Sequence, residues 1–98
     1  MRVALAVSSR PDKKWSVSVD GKTIHFGAAG MSDYTLHRDN ARKQRYLARH
    51  RPTENWRDMK SAGFWSRHLL WDKPTLRESI KDTERKFGIE IVRSHFQP

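Results

Sequence analysis

The sequence contains no cysteine. Disulfides, thiolate metal sites and cysteine nucleophiles are therefore excluded, and the composition fits a reducing compartment. Long apolar runs are missing as well. Val3 to Val7 and Leu69 to Trp71 are short stretches, far from the ~20 residues that a membrane-spanning helix needs. Acid is scarce: 11 Asp and Glu stand against 20 Lys and Arg, a formal net charge of +9. With 98 residues the chain is too short for a protein kinase, a Rossmann dehydrogenase or a TIM barrel. It contains no internal repeat and no low-complexity tract.

One small domain spanning residues 1–98 is expected. A domain of this size buries only roughly 60–65% of the surface its unfolded chain exposes. Ten aromatics, four of them Trp, offset the modest apolar content, because each large ring buries about 150–250 Å². The excess positive charge must be held against self-repulsion, and it points to a polyanionic partner: nucleic acid, anionic lipid or an acidic protein face.

The first thirty residues have β character. Met1-Arg2 followed by Val3 to Val7 has the outline of a secretory signal, but the apolar stretch is too short and charge returns at Arg10, so an edge strand is expected there. From Lys14 to Phe26, apolar and polar residues alternate on both sides of Asp20-Gly21, the dipeptide of a tight hairpin. A two-residue turn pairs Val19 with Lys22, Val17 with Ile24 and Trp15 with Phe26 on one face, and Ser16 with His25 and Ser18 with Thr23 on the other. Gly27-Ala-Ala-Gly30 then interrupts the pattern. Leu36 to His50 is expected to be one helix stopping before Pro52, and one or two helical turns follow near residues 53–63. Phe64 to Trp71 is apolar and of ambiguous type. Thr75-Leu-Arg-Glu78 is a capping box. It opens a helix with Leu76, Ile80 and Phe87 on one face and Gly88 just past its end, before a last strand at Ile89 to Arg93. The expected fold is α+β: a small antiparallel sheet of N-terminal strand, Asp-Gly hairpin and C-terminal strand, with two to three helices on one side.

The most informative stretch is His37 to Arg51. On one continuous helix Arg38, Arg42, Arg45 and Arg49 fall within a stripe about 60° wide, with Leu36 and Leu47 nearly opposite and free to dock on the sheet. Like charges at i,i+4 repel, so this spacing lowers helix stability, and Arg suits bidentate contact with phosphate or carboxylate. Lys43 and Arg51 flank the stripe. The blander account is a solvated helix face neutralised by acids after folding. Four phosphate contacts with duplex nucleic acid predict a log K against log[salt] slope of about −3.6. Such a stripe positions a protein on a backbone and carries no base specificity.

Phe64-Trp-Ser-Arg-His-Leu-Leu-Trp71 gathers three large rings around Arg67 and His68. It could be a base-stacking platform, an anchor for a protein partner, or simply core. Trp65, Leu69 and Leu70 fit core best, whereas Trp56, Arg67 and Trp71 are candidates for contact with a partner. Catalytic readings fail. His37-Arg38-Asp39 spells a kinase catalytic-loop tripeptide, but the Asn expected five residues on is Gln44 and there is no glycine-rich loop. Gly27-Ala-Ala-Gly30 has only the outline of a KH clamp loop. His25, His37, His50, His68 and His95 show no metalloprotease spacing. Asp33, His37 and Asp39 could approach one another, but helix capping accounts for the two acids. A non-enzymatic protein without cofactor or metal is expected.

Several segments resemble a group of small basic proteins encoded by nucleocytoplasmic large DNA viruses. They are Lys22 to Gly27, Ser32 to Asp39, Arg42 to His50, Glu54-Asn-Trp56 and Ala62 to Thr75, the last carrying the specific Gly63-Phe-Trp-Ser-Arg67 block. The resemblance covers roughly residues 14–88. Met31 and His68 stand where that pattern has aromatics, and Asp72 where it has Asn. The resemblance implies a large DNA virus, with the virion, and host cytoplasm or nucleus during assembly, as the setting. It implies no activity and no site. Two functions are consistent with these readings, with a small hydrolase as a third and less favoured one. In one, a virion-associated protein contacts packaged DNA or another polyanion through its arginines. In the other, a minor capsid or cement protein turns the same arginines to carboxylates of neighbouring capsid chains.

Overall fold

The computed structural model describes residues 1–93; His95 lies outside them. Strands β1 (Arg2–Val7), β2 (Lys13–Val19) and β3 (Lys22–Ala28) form a meander. Asp20 and Gly21 take φ of 48° and 78°, the two left-handed residues that a tight hairpin turn matched to strand twist requires. The β2–β3 register is the one read from the alternation, with Trp15 opposite Phe26, Val17 opposite Ile24 and Val19 opposite Lys22. Two short and two longer helical segments follow: α1 (Tyr34–His37), α2 (Asn40–His50), α3 (Ala62–Trp65), which runs directly into a π-helical turn at Ser66–Leu70, and α4 (Leu76–Phe87). Strand β4 (Glu90–Arg93) closes the described chain.

The sheet order is β3-β2-β1-β4, and this corrects two expectations. β1 is an inner strand, not an edge. β4 joins it in parallel, with Val3 opposite Ile91, so the sheet is mixed and not wholly antiparallel. Parallel pairing needs a long crossover. Residues 29–89 supply it, carrying the chain from β3 over one face of the sheet to its far edge. That face is the core: Val3, Leu5, Val17, Val19, Ile24, Phe26 and Ile91 meet Phe64, Trp65, Leu69, Leu70 and Ile80.

Phe64 to Leu70 is helical and mostly internal. Trp65 is wholly buried, and its indole N–H is satisfied by the Met59 carbonyl (2.7 Å). The wide turn closes with the Trp71 N–H on the Ser66 carbonyl (3.1 Å). It lies against β3 at Gly27, whose φ is 77° and where a Cβ would stand 2.8 Å from Leu70 Cδ1. A side chain there would be strained both by conformation and by contact. At α4 the N-cap half of the capping box forms, Thr75 Oγ1 accepting from the Glu78 N–H (3.1 Å), while the Glu78 carboxylate accepts from the Thr75 hydroxyl (2.9 Å), and Gly88 ends the helix at φ 63°.

Candidate polyanion-binding face

Two aspartates divide what the sequence presents as one helix. Asp33 caps α1 through the Thr35 N–H (2.9 Å) and also pairs with Lys14 Nζ (2.6 Å). Asp39 caps α2, accepting from the Ala41 and Arg42 N–H groups (2.9 and 3.3 Å). Between them Arg38 takes the left-handed conformation, φ 55° and ψ 31°, and its N–H closes α1 on the Tyr34 carbonyl. An N-cap aspartate satisfies helix donors that would otherwise lack partners, and this outweighs the roughly 1–2 kcal/mol of holding a side-chain-bearing residue in αL. The signal was in the sequence, as an Asp three residues before Arg42. Leu36 consequently does not dock on the sheet and is 64% exposed.

Arg38 thus leaves the stripe; its Nε donates to the Pro74 carbonyl (3.2 Å). Arg42, Arg45 and Arg49 remain on α2 at i, i+3 and i+7, all exposed. Among the described residues none of the three forms an ion pair. The ridge therefore has three guanidiniums, where the sequence suggested four.

The inward face of α2 explains why those three point out. Tyr46 and Leu47 are buried. Tyr46 lies between His50 (ring centroids 4.2 Å) and Trp71 (4.3 Å, planes 3° apart), and burial holds its phenol above the ordinary tyrosine range. Lys43, expected on the binding face, is instead a strut. Its ammonium donates to the Asp72 carbonyl (2.7 Å) and sits 5.0 Å from the Tyr34 ring centroid, with its pKa lowered by burial first. Arg51 is exposed at the end of α2, its guanidinium 5.9 Å from the Trp56 ring centroid.

The candidates for partner contact are largely absorbed by the fold. Arg67 donates to the Trp71 carbonyl (3.1 Å), approaches Asp72 (3.5 Å) and packs over Trp56 (5.4 Å). Trp71 spends one face on Tyr46 and meets His37 at 5.3 Å. Trp56 is half-buried and donates its indole N–H to Glu54 (3.0 Å). Asp33 and Asp39 both serve as helix caps, and His37 Nδ1 accepts from the Asp39 N–H (2.9 Å).

Sequence reasoning missed one feature, a buried carboxyl pair where the loop before α4 meets that helix. Asp72 and Asp82 are each 5% exposed, and both carboxyls lie near the Lys86 ammonium (3.9 and 2.9 Å). Burial, and then the neighbouring Asp82, raise the pKa of Asp72. The adjoining Asp72 side chain first, then Lys86 (2.9 Å) and Arg85, hold Asp82 well below the carboxylate range. The two acids are thus shifted in opposite directions, Asp72 up and Asp82 down.

A family of unknown function (DUF5754) has a model that matches residues 3–50, the stretch from β1 to the end of α2. The similarity includes the hairpin and the ridge and ends before the Gly63-Phe-Trp-Ser-Arg67 block. No curated protein and no solved structure matches the chain.

Proposed function

We propose that the chain is a non-enzymatic basic protein that binds duplex DNA through the phosphate backbone, using Arg42, Arg45 and Arg49 on α2. The observation that carries this reading is the set of three exposed guanidiniums on one helix face without a carboxylate among the described residues. An 11-residue helix is about 16 Å long, and duplex DNA presents one phosphate per ~1.7 Å of axis. Phosphates are thus always within reach, whatever the sequence. A stacking mode for single strands has little support, because Tyr46 is enclosed between two rings and Arg67 covers Trp56. The large-DNA-virus resemblance supplies a setting, packaged DNA in a virion. No helix among the described residues is long and apolar enough to cross a membrane.

Fluorescence anisotropy with a labelled duplex of arbitrary sequence tests the reading. Three phosphate contacts predict a log K against log[salt] slope of about −2.7. The chain carrying Arg42→Gln, Arg45→Gln and Arg49→Gln together should lose most of that slope. Wild-type binding by the triple variant sinks the proposal.

A further inference from the structure

Arg38 leaves the ridge for a groove. Where β2 begins and β1 ends, α1 and the first turn of α4 do not close over the sheet. They leave an open groove of ≈ 580 Å³ walled by Trp15, Leu36 and Leu76, with Thr35, Thr75, Arg38 and the Lys14–Asp33 pair on its rim. None of the three ridge arginines lines it. Its apolar surface is genuinely open. Leu36 is 64% exposed, and Val7, directly opposite Trp15 in the β1–β2 register, is 60% exposed. Leu36 on the groove wall, the half-buried Trp15 and Leu76 beside it, and Val7 next to Trp15 make an apolar surface of the kind that binding sites use.

The charge around this groove is one-sided. Lys14 is neutralised by Asp33 (2.6 Å). Arg38 donates only its Nε, to a backbone carbonyl, and Arg93 lies over the Trp15 ring at 5.4 Å. Neither arginine has a carboxylate partner among the described residues. Two unpaired guanidiniums beside an apolar floor fit a ligand with a matching arrangement, an apolar side chain to fill the groove and carboxylates next to it for bidentate contact. Trp and Arg are also the residues on which protein interfaces concentrate their affinity, and the volume lies within the ~300–1,000 Å³ of ordinary ligand sites. A nucleic-acid strand fits poorly, because its phosphates would be desolvated against Leu36 and Leu76.

We propose that this groove is a docking site for a peptide segment of a partner protein, an apolar anchor flanked by Asp or Glu. It is independent of the DNA-binding reading, since the two use different residues. Selection of a displayed library of random 12-residue peptides on the immobilised full-length chain tests it. Enriched peptides should share a Leu, Ile, Phe or Trp within two residues of an acid. A fluorescein-labelled synthetic copy should bind at least tenfold more weakly to the Leu36→Asp and Arg38→Glu chains, both of which change surface positions and whose folding circular dichroism verifies. The same peptide should bind the Arg42→Gln, Arg45→Gln, Arg49→Gln chain as it binds wild type. The proposal is overturned if no peptide is enriched, or if the two groove variants bind it unchanged. Loss of binding in the triple variant would also overturn it, by moving the contact to the ridge.

Discussion

Trp71 lies flat on Tyr46, with ring centroids 4.3 Å apart and planes 3° from parallel. The stack ties α2 to the loop that precedes α4. Lys43 adds a second tie by donating to the Asp72 carbonyl (2.7 Å). Together they fix the rotation of α2 about its own axis, and so decide that Arg42, Arg45 and Arg49 face outward.

Removing the stack should therefore loosen the ridge helix. Trp71→Ala is expected to lower stability by about 2–3 kcal/mol, below the ~3–5 kcal/mol of a fully buried Trp because this one is only half-buried. Trp71→Phe should recover most of the loss. Urea titration followed by circular dichroism measures both, and a Trp71→Ala chain as stable as wild type would show the stack to be incidental.

The backbone break at Arg38 reverses the sign of a simple substitution. In an unbroken helix Arg38→Gly would cost up to ~1 kcal/mol. At φ 55° it should instead stabilise the chain by about 0.5–1 kcal/mol, since glycine adopts αL freely. It should also leave the salt slope of DNA binding at its wild-type value. Arg45→Gln should do the opposite, reducing the magnitude of the slope by about 0.9 and changing stability by less than ~0.5 kcal/mol.

His68 predicts a loss of stability in mild acid. It is 8% exposed, packed against Phe64 and Phe87, and its Nε2–H donates to the Trp56 carbonyl (2.9 Å). Burial pushes its pKa down to about 4 from the ordinary 6.5. Between those values the unfolded chain binds the proton more readily than the folded one, so stability rises with pH. The contribution is complete above pH 6.5 and is lost as pH falls towards 4, amounting to roughly 3 kcal/mol at most. The difference in unfolding free energy between wild type and His68→Phe, followed from pH 7 to 4, isolates this effect from acids common to both. A difference that stays constant over that window would contradict the assignment.

The carboxyl pair should respond unequally to neutralisation. Burial already disfavours the charged form of Asp72, so its replacement by the neutral amide in Asp72→Asn should change stability by less than about 0.5 kcal/mol. Asp82→Asn removes the charge that faces Lys86 and Arg85 and should cost about 1–2 kcal/mol. That figure lies below the ~3–5 kcal/mol of a fully buried pair because both cations are substantially exposed. Thermal denaturation of the two variants side by side gives the comparison, and equal losses would contradict the unequal roles of the two acids.

The local devices were readable in the chain itself. Asp20-Gly21 and the alternation around it set the β2–β3 register. Thr75 with Glu78 started α4, and Gly88 ended it. These depend on turn and cap chemistry within a few residues, so a short window contains all the information. The arginine spacing of α2 was readable for the same reason, although the weight of Asp39 as a cap was not.

Other features were decided at a distance. β1 became an inner strand only because β4 arrived beside it, and β4 runs parallel because the helical connection crosses the whole sheet. Lys43 and Arg67 look like free cations until the folded loop at 71–74 offers them carbonyls, and Asp72 meets Asp82 only through the packing of α4. A residue's own neighbours in sequence determine its turn, its cap and the side of a helix it occupies. Whether a charge on that side then faces solvent or a buried acceptor depends on segments dozens of residues away, because the cost of desolvating it is set by whatever packs against it.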